Sequence, residues 1–177
     1  SALAALTLKK KPADCVGRGT GLNDAGLSRK KEVVTAAVDR FTSSFGLPSF
    51  VSSDEAHCVM REVGGAELSA LAGAAWRAAQ LRRYVLLDGL IVTAAVAPFA
   101  LAEPEFSKWL LASHQSAEPI HEGLLKALNL SPLLKLGLRL GEGSGAAFAL
   151  GLLQDADALL SGMATFSGAG VNSGTQG

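Results

Sequence analysis

The segment LGLRLGEGSGAAFAL, residues 136–150, sets a single carboxylate, Glu142, between Gly141 and Gly143, with Gly145 two positions further on. On such bare backbone Glu142 is either an exposed turn residue or a general base at the start of a helix, a role that apolar surroundings favour. GRGTGL at 17–22 and GEGSGA at 141–146 share the pattern Gly-x-Gly-x-Gly. Neither has the Gly-x-Gly-x-x-Gly spacing of a dinucleotide site, and neither is a P-loop. Each is a tight turn or a place where backbone closely approaches a phosphate or a ring. Asp88 follows an apolar run directly, where an acid is seldom present for solubility alone. His114 and His121 read as structural histidines, and Lys30 as a solvated helix charge like its neighbours Arg29 and Lys31. Glu118 reads as a first-turn carboxylate suited to a helix macrodipole.

Residues so far apart need a scaffold to bring them together. GLSRKKEVVTAAVDRF has helical periodicity through Val33, Val34, Ala37, Val38 and Phe41, and Gly46 and Pro48 stop it. SSDEAHCVMREVGG opens with Ser52 and Glu55 at capping-box spacing and closes on Gly64-Gly65. AELSALAGAAWRAAQL is a third helix of small residues. The pattern then changes: RYVLLDG predicts a strand buried on both faces, followed by a helix from about Thr93. SKWLLASHQSAEP repeats that order before the helix HEGLLKALNL, and SPLLKLGLRLGEGSG leads into the last long helix. Alternating strands and helices predict an α/β fold, three-layered and Rossmann-like, with a largely parallel sheet and helices on both faces. Residues 1–168 then form one domain, and the Gly/Ser/Asn-rich 169–177 a flexible tail. Asp88-Gly89, Ser113–Ser116 and Gly141–Ser144 would each lie at a strand's carboxyl end, where open α/β sheets bind ligands.

The 177 residues are 49% hydrophobic and 18% charged, with mean hydropathy +0.29, which suggests apolar surface buried against a partner. Lys+Arg and Asp+Glu balance at 16 each, so charge gives no argument for nucleic acid, and Lys9–Lys11 beside Pro12 reads as a solvated loop. Cys15 and Cys58 form no Cys-x-x-Cys pair and the three histidines supply no zinc spacing, so reduced cytosolic thiols are the simpler reading. SALAALTLKKK has its charges after its apolar part, the reverse of a secretory signal. Val85–Ala102 approaches membrane-spanning length, but Asp88, Gly89 and Pro98 interrupt it, and strand, turn and buried helix explain it better.

The ordered set GRGTGLNDAGLSRKKEVV, VGGAELSALAGAA, VLLDGLIVTAAV, SHQSAEPIH, LGLRLGEGSGAAFAL and MATFSGAGV resembles the nicotinate-nucleotide–dimethylbenzimidazole phosphoribosyltransferases of cobalamin biosynthesis. The resemblance implies transfer of phosphoribose from nicotinate mononucleotide to 5,6-dimethylbenzimidazole, giving α-ribazole 5′-phosphate and nicotinate. It implies that Glu142 is the base that takes the azole proton. It implies that Gly17 and Gly19 lie on a loop near the phosphate and Lys30 near the nucleotide. Asp88, Gly89 and Ser116 would line the nucleotide side, and Gly141, Gly143 and Ser144 would shape the pocket around Glu142. No metal and no cofactor is implied; a cytoplasmic homodimer is.

Members of that family are roughly twice as long as this chain. Their first half carries much of the benzimidazole pocket and a glycine-rich GEMGIGNTT-like loop for the phosphoribosyl group; SALAAL resembles the helix just after it. A fragment, one half of a split enzyme, or a shortened non-catalytic relative that binds a nucleotide or aromatic base or serves as a dimerising scaffold all fit. The expectation is weak or no turnover by this chain alone, and an apolar face covered by a helix or by another subunit.

Overall fold

The computed structural model describes residues 1–19 and 21–170. Helix α1 (Ala2–Leu8) ends where Lys9 turns left-handed, and a 3-10 turn, Pro12–Cys15, leads to the glycine loop. Helix α2 (Asp24–Phe45) starts at Asn23, whose side chain accepts from Gly26 N–H at 2.8 Å, and stops at Gly46. Helix α3 (Ser53–Val63) has only half of the expected capping box. Ser52 Oγ accepts from Glu55 N–H at 3.5 Å, but the Glu55 carboxylate turns to Ser49 N–H at 3.1 Å and Val51 N–H at 2.8 Å. Those backbone donors hold its carboxyl below the usual range. Helix α4 (Ala66–Gln80) follows the Gly64-Gly65 break.

Strand β1 (Val85–Leu87) then enters helix α5 (Gly89–Ala102) with only Asp88 between them. The helix therefore begins at Gly89 rather than near Thr93. Helix α6 (Pro104–Ser107), strand β2 (Leu110–Ala112), helix α7 (His121–Ala127) and helix α8 (Ser144–Gly162) complete the described elements. β1 and β2 pair in parallel with Val85 opposite Leu110 and Leu87 opposite Ala112. On the far side of β2 a third segment runs alongside without becoming a regular strand. Leu133 N–H donates to Ala112 O and Leu134 N–H to Ser113 O, both at 3.0 Å, and Gln115 N–H donates to Leu134 O at 2.9 Å. Pro132 and the left-handed Gly137 (φ 65°) limit pairing there.

The result is a helix-rich α/β unit with a small parallel sheet; of the expected larger sheet the described residues contain these two strands. β1 is not buried on both faces: Val85 and Leu86 are half-buried and only Leu87 is fully enclosed. The core is built around α5, which α1, α3, α4, α6 and α7 surround, so that Thr93–Ala100 is buried without interruption. Val34, Val38 and Phe41 of α2 point inward as the periodicity predicts, but Val33 is exposed. α8 is the opposite of α5. Among its residues only Gly145 and Ala149 are buried, and Phe148, Leu150, Leu152, Leu159 and Leu160 are exposed. Among the described residues no helix is long and apolar enough to cross a membrane. Cys15 and Cys58 are free; burial pushes the Cys15 thiol up. Of the expected tail, residues 171–177 lie outside the described residues, while Ala169 and Gly170 close hydrogen-bonded turns on Thr165 and Ser167.

Candidate functional site

Three of the segments singled out from the sequence meet at the carboxyl ends of the strands. Asp88 directs both carboxylate oxygens to the start of α8: Oδ2 accepts from Gly143 N–H at 3.1 Å and Oδ1 from Ala146 N–H at 2.9 Å. It is a helix N-cap supplied from another part of the chain, meeting two of the amides that a helix start leaves without internal partners. The cap fixes the Gly141–Ser144 turn to the end of β1.

The His114 ring is packed between two glycines. A Cβ on Gly89, which is left-handed at φ 62°, would stand 3.2 Å from His114 Cε1, and a Cβ on Gly145 would overlap the ring outright. Glycine at both positions lets the starts of α5 and α8 close on the imidazole. The hydroxyls fix the tautomers. Ser113 Oγ–H donates to Leu87 O at 2.6 Å, so its oxygen accepts from His114 Nδ1–H at 3.0 Å. His114 Nε2 is then a buried lone pair without a partner among the described residues, and Ser116 Oγ and Ser144 Oγ are buried and unpartnered likewise. Thr93 Oγ–H donates to Gly89 O at 2.7 Å and accepts from His121 Nε2–H at 3.0 Å, while His121 Nδ1 accepts from Ser116 N–H at 2.9 Å. His121 is thus held neutral. Burial, with His114 close by, pulls its pKa down to about 4.

A second group gathers on the glycine loop. Glu118 Oε1 accepts from Gly19 N–H at 3.1 Å, and its other oxygen fills the space where a Cβ on Gly17 would stand. Lys30 Nζ donates to Gly17 O and Arg139 to Gly19 O, each at 3.1 Å. Between this loop and the 137–140 segment lies a hollow of about 610 Å³ lined by Arg18, Gly19, Leu22, Gly137, Arg139 and Leu140. It is of the size of small-molecule sites, and it adjoins in sequence the turn that carries Glu142.

Glu142 itself is exposed and left-handed at φ 62°, followed by Gly143 at φ 82°. The apolar enclosure expected around its side chain is not formed by the described residues. The turn projects beyond the strand ends, and Gly141 has no neighbour within 4 Å of a Cβ built on it.

Sequence reading misses two residues. Glu118 precedes α7 rather than lying in its first turn, and it reaches across to Gly19. Arg139 has one signal that could have found it: it is the only charge in LGLRL, directly before the Gly-Glu-Gly turn. Among the described residues no cluster of three His, Cys, Asp or Glu side chains is arranged to hold a metal ion.

A family model described as "Phosphoribosyltransferase" matches residues 1–171. The nicotinate-nucleotide–dimethylbenzimidazole phosphoribosyltransferase of Roseobacter denitrificans is 48% identical over 175 residues, which are 98% of this chain and 49% of that protein. The enzyme of the same name from Ruegeria pomeroyi is 49% identical over 161 residues, 91% of this chain and 45% of its own length. The crystal structure of CobT from Thermus thermophilus superposes with a TM-score of 0.83 at 42% identity, covering 98% of this chain and 49% of that one. The chain spans about half the length of the curated relatives it matches.

Proposed function

We propose that this chain, which belongs to the phosphoribosyltransferase family whose model it matches over residues 1–171, serves the transfer of phosphoribose from nicotinate mononucleotide to 5,6-dimethylbenzimidazole, with Glu142 as the general base. The observation that carries this reading is the backbone of Glu142. A glutamate at φ 62° occupies a conformation that costs about 1–2 kcal/mol for most side chains. It sits between Gly141 and Gly143, the latter also left-handed at φ 82°. Its turn is capped by Asp88.

In the proposed reaction one ring nitrogen of the azole attacks C1′ of the ribose. The bond from C1′ to the pyridine nitrogen of nicotinate breaks, and its electron pair neutralises the pyridinium. The second azole nitrogen gives its proton to the Glu142 carboxylate, so α-ribazole 5′-phosphate leaves without the extra positive charge. General-base assistance of this kind is worth about 10²–10⁴ in rate. Gly17, Gly19, Lys30, Gly89 and Ser116 serve the nucleotide side. Gly141, Gly143 and Ser144 shape the base pocket, and Asp88 positions their turn. Residues 1–168 act as one domain in a three-layer, Rossmann-like arrangement, working as a cytoplasmic homodimer; the exposed apolar residues of α8 support a covered face in the working particle.

A second reading, binding of a nucleotide or aromatic base without turnover, is favoured by the exposure of Glu142, since a base in water is a poor catalyst. Product assay together with calorimetry separates the two. Turnover that disappears in Glu142→Gln supports catalysis. One ligand bound, no turnover and indifference to the substitution support the second reading. Binding of neither nicotinate mononucleotide nor dimethylbenzimidazole overturns both.

A further inference from the structure

The loop that the proposed function assigns to the phosphate has its own polar groups engaged by side chains from distant parts of the chain. Gly19 N–H is held by Glu118, 99 residues away, and Gly19 O by Arg139, 120 residues away. Gly17 O is held by Lys30. Donor and acceptors of the loop are therefore both fixed from outside it. Glu118 alone meets the loop in two ways, since its Oε1 takes the amide while its Oε2 occupies the position of the missing Gly17 Cβ. That contact accounts for glycine at 17: an alanine methyl would displace the carboxylate, the mobile end of its side chain. Glu118 lies two residues beyond Ser116, whose amide is tied to His121, and just before α7. The carboxylate thus links the glycine loop to the segment that leaves β2.

We propose that Glu118 is a positioning residue for the nucleotide: it holds the Gly17–Gly19 loop in register with the Ser116 segment and so sets affinity for the phosphate-bearing substrate without touching it. This rests on the functional reading above. Lys30 and Arg139, both cations on loop carbonyls, offset the charge of Glu118 beside an anionic ligand. The side chain is required for its acceptor oxygen and its shape, so glutamine substitutes for it and alanine does not.

Two measurements on the full chain test this in wild type, Glu118→Gln, Glu118→Ala and Gly17→Ala. The first is hydrogen exchange of the Gly19 amide. It is protected in wild type and Glu118→Gln, and exchanges roughly tenfold faster or more in Glu118→Ala and Gly17→Ala, as expected for loss of a charge-assisted hydrogen bond. The second is calorimetry. Nicotinate mononucleotide affinity falls by roughly tenfold or more in the two alanine variants, consistent with one lost interaction, and is kept in Glu118→Gln, while dimethylbenzimidazole affinity is unchanged throughout. Equal Gly19 protection in all four proteins overturns the clamp. So does an alanine variant that binds the nucleotide as well as or better than wild type, or one that weakens both ligands alike. If wild type binds no nicotinate mononucleotide, the functional reading fails, and the Gly19 amide decides the clamp by itself.

Discussion

α5 and α8 start from the same corner of the molecule and end in opposite surroundings. Asp88 immediately precedes α5 and caps α8, and His114 lies against both Gly89 and Gly145. Both helices are rich in apolar residues. Yet α5 is enclosed by five other helices, whereas α8 presents Phe148, Leu150, Leu159 and Leu160 to solvent. Composition therefore does not decide burial; neighbours do. The shared corner is specified differently from either helix body. It depends on two glycines, one capping acid that accepts from two amides, and one imidazole packed between the glycines.

The largest expected contrast is between two phenylalanines. Phe99 of α5 is buried, and Phe99→Ala costs about 3–5 kcal/mol in urea unfolding. Phe148 of α8 is 62% exposed in the single chain, and at concentrations low enough to keep the chain monomeric Phe148→Ala stays within about 0.5 kcal/mol. Similar losses at the two sites would break the comparison.

Acid sensitivity at the α5 end comes next. The His121 pKa lies at about 4 when folded, against 6.5 ordinarily, because burial disfavours the charge. The unfolded chain takes the proton first. The contribution of His121 is therefore complete above pH 6.5 and declines as pH falls through the interval to 4, reaching a loss of roughly 3 kcal/mol below it. The urea midpoint should follow that course, and His121→Gln should flatten it. A wild-type midpoint constant from pH 7 to 4 would contradict the buried neutral imidazole.

The smallest contrast separates two glycines of α8. Gly145→Ala drives a methyl into the His114 ring and destabilises by about 1–3 kcal/mol. Gly151 has open space where its Cβ would be, so Gly151→Ala gains up to about 1 kcal/mol from helix propensity. Opposite signs in chemical denaturation sharpen the distinction between corner and helix body; a shared sign removes it.

These differences track what was legible in the sequence. Elements specified by local signals were readable: α3 from Ser52 to Gly64-Gly65, α2 up to Gly46, and the polar clusters that follow β1 and β2. The extent of the sheet was not, because Leu133–Leu140 is as apolar as a strand while Pro132 and Gly137 restrict its pairing. Val33 fitted the apolar stripe of α2 but faces solvent. Glu118 and Arg139 could not be placed from local pattern, since their partner, Gly19, lies 99 and 120 residues away. Glu142 was conspicuous as an acid between glycines, and its backbone is left-handed, as is that of Lys9, Phe50, Arg82 and Asn129. Its exposure depends on what stands opposite the turn and is not written in its neighbours.

Removal of the azole proton by the Glu142 carboxylate is the step we propose. Its most direct test is the rate of α-ribazole 5′-phosphate formation by Glu142→Gln beside wild type, with nicotinate mononucleotide affinity measured on the same samples. The expected result is a rate below that of wild type by about 10²–10⁴ with nucleotide affinity unchanged. Measurable wild-type turnover that Glu142→Gln matches would contradict it.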